Sequence, residues 1–182
     1  MKHIRNHLAI SCATAASILL GGCLLTGTWV VETMLRDLVV SANQDSYYER
    51  VDITDNDVWQ DHSDDVKDID AIGFEMWATN SGQADNFDIY IADTTAGLGP
   101  NSSVGQIAAD GVAVLEDLPL VANGKTYISY PGSFSYFQHQ NLGKIKKLVE
   151  QGAFDFFAFS NSSSVNVTVD SVRVVLTLTA GI

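Results

Sequence analysis

Ile72, Phe74, Met76 and Ala78 fall on one side of an extended chain, and Gly73, Glu75, Trp77 and Thr79 fall on the other. Side chains of a strand alternate with a period of two, so this run reads as a strand buried on one face and wetter on the other. The rhythm returns in Phe87, Ile89 and Ile91 after the turn formers Asn80-Ser81-Gly82, and in Thr126, Ile128 and Tyr130 after Asn123-Gly124. Tyr47 to Thr54 alternates in the same way. Phe154, Phe156 and Ala158 oppose Phe157 and Phe159, so that segment is apolar on both faces and predicts a central strand. Near the end, Val165, Val167 and Val169 alternate in one parity, and Val172, Val174, Leu176 and Leu178 in the other. A bulge, a turn or a change of sheet is therefore needed at Asp170-Ser171.

Helical signals are few. Leu142, Ile145, Leu148 and Val149 form one apolar stripe, with Asn141 placed to cap it and Gly152 to end it, which predicts a helix over about 141–151. A single helical turn capped by Ser63 is a second, shorter expectation. Residues 96–105, AGLGPNSSVG, read as a surface loop, and Pro119 marks a broken or edge strand among Val112, Val114, Leu118 and Leu120. Many short strands with one helix and no βαβ rhythm predict a mainly β fold, an antiparallel two-sheet β-sandwich. The 182 residues suffice for one such domain and are too few for two ordinary ones.

The first residues obey a different logic. Lys2 and Arg5 precede an uncharged run from Leu8 to Val31, and the small residues Gly21 and Gly22 precede Cys23. This is the charged, apolar and small-residue order of a secretory signal. Ser11, Thr14, Ser17 and the glycines dilute the run, which leaves its strongly apolar part too short to fill a bilayer core of about 30 Å. Leu20-Gly21-Gly22-Cys23 resembles the lipobox of bacterial lipoprotein precursors. That resemblance covers residues 1–23 only, and no family resemblance is found for the remainder. It implies a signal peptide over 1–22, acylation of Cys23, a tether over 23–34 and a single β-sandwich domain over 35–182. Leu24 stands where an aspartate would imply retention in the inner membrane, so delivery to the outer membrane is implied, with the domain facing periplasm or cell surface. The anchor would hold by several acyl chains, each buried methylene contributing about 0.8 kcal/mol.

Charge narrows the partners. The formal net charge is −12, and the one basic cluster is Lys144, Lys146 and Lys147. Nucleic-acid binding needs clustered cations to displace counterions from phosphates, so it is discounted. Both cysteines, Cys12 and Cys23, lie in the leader, which rules out a disulfide framework after residue 23.

Two features bear on chemistry. Eight aspartates crowd between residues 52 and 70. Asp55 and Asp57, with Asp52 and Asp61, are the ligand candidates should that stretch hold a Ca²⁺ ion; the glycine and terminal glutamate of an EF-hand are missing, and a solvated loop explains the same composition. No cofactor is required by any motif. Aromatic residues are the second feature. Tyr127, Tyr130, Phe134, Tyr136 and Phe137 surround Pro131-Gly132, and Trp59 sits inside the acidic stretch. Tyr130, Phe134, Tyr136 and Trp59 are the binding candidates, set against a core role for the first three and a plug at the end of the sandwich for Trp59. After residue 23 the only histidines are His62 and His139, and nucleophile elbows, phosphate loops and zinc-protease runs are all missing. The expected function is therefore non-enzymatic: a lipid-anchored envelope protein that binds a protein or glycan partner or serves a structural role. A hydrolase of envelope or extracellular polymer is the alternative, because paired carboxylates are made in space and not in sequence. Self-assembly through edge strands is a third, with the valine-rich carboxyl-terminal strand as its expected seat.

Overall fold

All the strand pairings are antiparallel, and their order explains why the chain alternates so often between turn and strand. The computed structural model describes residues 26–41, 46–160 and 166–181. Its strands are β1 (Thr26–Ser41), β2 (Tyr47–Asp52), β3 (Val66–Asn80), β4 (Asp85–Ala92), β5 (Val112–Leu120), β6 (Gly124–Ile128), β7 (Ala153–Ser160) and β8 (Asn166–Gly181). They pair in a nested way: β1 with β8, β2 with β7, β3 with β6, β4 with β5. Two further pairings, β8 with β3 and β7 with β4, join them into sheet A, ordered β1-β8-β3-β6, and sheet B, ordered β2-β7-β4-β5. A long hairpin rolled so that its halves face each other gives this order, which is the jelly-roll form of the β-sandwich.

Between the sheets lies one apolar core. Phe74, Met76, Ile89, Leu118, Phe156 and Val172 are all buried there, each contributing roughly 1.5–3 kcal/mol. The face of β3 read from the sequence as apolar is the one turned into this core, since Ile72, Phe74, Met76 and Ala78 are buried. β7 is central, as the two-sided apolar pattern requires, and every residue from Phe154 to Phe159 is buried. The parity change near the end is a bulge within one continuous strand. Trp77 stands opposite Ser171 and Ala78 opposite Val169, so Asp170 is the extra residue, and Val169 and Val172 both reach the core. β8 is also interior, paired along both edges, so the valine-rich strand offers no free edge for assembly.

Helices are more numerous than the apolar stripe suggests. Besides α4 (Leu142–Glu150), the expected one, there are α1 (Asp57–His62), α2 (Val104–Asp110) and α3 (Tyr130–Ser133). Each of the three has fewer than two full turns and so shows no repeating apolar stripe, though Ser103 and Gln106 form a capping box at the start of α2. Ser63 closes α1 and also begins the expected single turn, a 3-10 helix over Ser63–Asp65, while Asn56 caps α1, its side-chain oxygen accepting from the amides of Val58 and Trp59. Asn141 does not cap α4 with its side chain; its amide donates instead to the carbonyl of Ala113 (3.1 Å). Gly152 does end α4, at φ +81°, where an added Cβ would lie 2.6 Å from Thr54 Cγ2. The connections that carry all four helices, 53–65, 93–111 and 129–152, gather at one end of the roll. The short turns 81–84 and 121–123 lie at the other.

β1 starts at Thr26, so residues 26–34 are strand where a tether was expected. Cys23 and the rest of the proposed leader lie outside the described residues. No helix among the described residues is long and apolar enough to cross a membrane.

Candidate functional site

Two sheets give two outer faces, and the chain treats them differently. Outward-pointing Tyr48 on β2, Phe157 and Phe159 on β7 and Tyr90 on β4 form a second apolar cluster on sheet B, roofed by Ile107 of α2 with Leu98 and Val104. Tyr90 stacks on Phe159 (centroids 5.4 Å apart), and its hydroxyl donates to Glu116 Oε1. Burial, and then the Glu116 carboxylate, push the Tyr90 phenol well above its ordinary range. Asp155, wholly buried, accepts from Tyr48 Oη (3.0 Å) and from Arg50 Nε (2.9 Å) and Nη2 (3.2 Å). A buried carboxylate of this kind is tolerated because it is fully paired.

The outer face of sheet A is bare by contrast. Among the described residues the large hydrophobics that are exposed, Val39, Trp77, Val121 and Tyr127, all lie on it or at the turn beside it. Trp77 on β3 and Tyr127 on β6 stand directly opposite each other. Their rings stack with centroids 4.2 Å apart and 27° between planes, and they remain 46% and 45% exposed. One row along β3, Glu75 holds the pair in place: its Oε1 accepts from Tyr127 Oη (2.5 Å) and its Oε2 from Arg173 Nη2 (2.6 Å). The Tyr127 hydroxyl and then Arg173 hold the Glu75 carboxyl below its usual range, while the Glu75 hydrogen bond pushes the Tyr127 phenol up. On the other side of the pair, Thr79 stands opposite Lys125 and Thr168, and Thr168 opposite Val39. Asn80, buried beneath the strand ends, ties the two neighbouring turns together: its amide donates to the carbonyls of Gln83 (2.6 Å) and Val121 (3.2 Å), and its oxygen accepts from Gly82 N (2.8 Å). The aromatic pair is thus fixed from its hydroxyl end and from its strand ends.

The residues nominated by sequence sit elsewhere. Trp59 is buried in the main core, its ring against Gly152, and plugs the sandwich where α1 meets α4. Tyr130 and Phe134 are half-buried and meet edge to face (5.0 Å); the Tyr130 ring fills the space where a Cβ on Gly73 would be. Tyr136 and Phe134 pack on the core from its rim. Asp52 accepts from Thr54 N (2.9 Å) and Oγ1 (2.5 Å), which lowers its pKa, so its carboxylate closes a local turn. Asp55, Asp57 and Asp61 are exposed. Among the described residues no three Asp, Glu, His or Cys side chains converge as a metal site.

Sequence reasoning missed Trp77 as a functional residue, although the alternation of β3 had already put it on the outward face with Glu75 and Thr79. Tyr127 was within the aromatic segment but was passed over for its neighbours. What the pattern lacked was the pairing register, which alone brings Trp77 and Tyr127 together. No protein-family model and no curated protein sequence matches this chain.

Proposed function

We propose that the protein is a non-catalytic, lipid-anchored component of a bacterial envelope whose jelly-roll domain binds a glycan on the outer face of sheet A. The observation that carries this reading is the Trp77–Tyr127 pair, held by Glu75 and left about half exposed. A pyranose ring presents a face of slightly positive C–H groups, which matches the negative face of an aromatic ring, and its hydroxyls match the carboxylate, guanidinium and threonine groups around the pair. A protein-binding patch has an apolar centre depleted of charge. Here the charged residues Glu75, Lys125 and Arg173 flank the rings.

Anchoring suits this arrangement. With Cys23 acylated, Leu24 and Leu25 alone separate the lipid from Thr26. β1 and β3 start at the same end of sheet A, through their pairings with the end of β8. At about 3.3 Å per residue, Trp77 then stands roughly 35 Å from the membrane-proximal end of the strand. The helix-bearing end faces the lipid and the aromatic pair faces outward.

Titration of the soluble domain, residues 24–182, with a panel of oligosaccharides tests the binding reading. At least one member should bind, and Trp77→Ala and Tyr127→Ala should each weaken it tenfold or more with no loss of fold by circular dichroism. Binding that survives both substitutions, or a panel that never binds while a protein partner is captured through the same two residues, would sink the glycan reading. Mass spectrometry of the natively processed chain tests the anchor, with diacylated Cys23 as the expected first residue.

A further inference from the structure

The two rings face each other, so each keeps one free face. Trp77 lies on β3 and Tyr127 on β6, the edge strand, so the free face of Tyr127 looks off the sheet and that of Trp77 looks across β8. What β8 offers there is set by its bulge. Val169 and Val172 are both buried in the core, and Asp170 between them is exposed. Asp170, the residue added by the bulge, is next to Ser171, which stands opposite Trp77 at about one strand spacing, roughly 5 Å.

From this geometry we infer that Asp170 and the free face of Trp77 form one subsite, which takes an amino sugar carrying a free ammonium group. The inference rests on the glycan reading above and names the class of sugar. Of the other charged groups near the pair, Glu75 is matched by Arg173, and Lys125 stands on the edge strand, on the Tyr127 side of Trp77. Among the described side chains, Asp170 is then the charge that faces a ligand on the open side of Trp77. A carboxylate only accepts hydrogen bonds, so it selects a donor-rich ligand, and an ammonium answers it with three donors and a full charge. The same cation is attracted to the indole face within about 6 Å of the ring centre. Charge complementarity extends beyond the subsite: a chain of net charge −12 draws a cationic polymer toward its surface and repels an acidic one. Backbone bulges next to ligand sites re-aim a side chain in this manner, which gives the parity change at Asp170-Ser171 a use beyond keeping valines in the core.

The test compares three oligosaccharide series of equal length against the soluble domain: glucosamine oligomers with free amines, their N-acetylated neutral counterparts, and uronic-acid oligomers. Affinity should fall in that order, and the advantage of the amine series should shrink as salt is raised. Asp170→Asn should lower affinity for the amine series about tenfold and leave the neutral series within twofold. Asp170→Lys should reverse the order of amine and uronate. Exposed and outside the core, these substitutions leave folding intact, which a thermal melt checks. Equal affinity for the three series, or an Asp170→Asn variant that keeps the amine preference, overturns this inference while the glycan reading stands. Failure of all three series to bind the unaltered domain, with other glycans in the wider panel bound through Trp77, overturns it in the same way. Failure of every glycan overturns both.

Discussion

Sheets A and B present outward aromatic residues of the same kind with opposite fates. Tyr90, Phe157 and Phe159 on sheet B are buried, and Trp77 and Tyr127 on sheet A are about half exposed. The difference does not come from the strands, whose outward positions are equivalent. It comes from the connection that follows β4: residues 93–111 are long enough to fold back and seat Ile107 over sheet B. The turn after β3, residues 81–84, is too short to cover anything. An aromatic residue on the outer face of a sheet is therefore core or binding surface according to the length of a loop that begins elsewhere, and the contrast is open to direct test.

The largest effect is expected under the roof. Phe157 is fully buried between Tyr48 and the covering residues of sheet B, so Phe157→Ala should cost about 3–5 kcal/mol in denaturant unfolding, the usual range for emptying an aromatic core site. Trp77→Ala on the bare face should cost about 1 kcal/mol, chiefly the stacking with Tyr127. If the two losses are equal, the outer face of sheet A is a second core and not a surface held open for a ligand.

Next comes the helix end. Gly152 ends α4 in the left-handed region, with Thr54 and Trp59 against its open side. Gly152→Ala adds strain of about 1–2 kcal/mol and drives its Cβ to 2.6 Å from Thr54 Cγ2, so Thr54 must shift and the unfolding midpoint should fall. Thr54 is held by Asp52 at the start of the acidic stretch, so the strain ties that stretch to the fold. A midpoint equal to that of the unaltered protein would mean that Thr54 yields without cost.

How much of this was legible in the sequence depends on the range of the signal. The faces of β3, the central place of β7 and the break at Asp170-Ser171 all follow from side-chain parity, which is local and has one period; that the break is a bulge, and not a turn or a change of sheet, follows from the β3–β8 register. α4 was legible because nine residues show a stripe; α1, α2 and α3 were not, because four to seven residues cannot. Trp59 was legible as a plug at the end of the sandwich; what the sequence did not show is the helix, capped by Asn56, that turns the ring inward while Asp55, Asp57 and Asp61 stay outside. The aromatic pair lay furthest from reach. It joins positions fifty residues apart through a β3–β6 register that parity does not specify, and its exposure depends on which sheet the 93–111 connection covers.

The smallest effects separate the two faces by pH. On sheet B the Tyr90 phenol is raised above its unfolded value of about 10, so the stability it contributes is complete below that pH and is lost as the pH climbs through the folded value. On sheet A the Glu75 carboxyl is lowered beneath its unfolded value of about 4, so its contribution is present above that pH and is lost as the pH falls through the folded one. Alkali should therefore loosen the roof through Tyr90 and, to a smaller extent, the aromatic pair through Tyr127, whereas acid should loosen the pair through Glu75. Tyr90→Phe should flatten the fall in unfolding midpoint between about pH 9.5 and 11, since a phenyl ring has no proton to lose. Glu75→Gln should remove part of the acid limb below about pH 4 and, because the carboxylate also raises the Tyr127 phenol, a small part of the alkaline limb as well. Because Glu75 is partly exposed, its effect on the midpoint is small, and glycan affinity is the more sensitive reading. Glutamine keeps one oxygen that can accept from Tyr127 but loses the charge that strengthens that bond and cannot accept from Arg173 as well, so the ring pair is held more loosely and binding should weaken severalfold at neutral pH while the fold is kept. Unweakened binding in Glu75→Gln would show that the pair is held by stacking alone, and that Glu75 serves Arg173 and not the site.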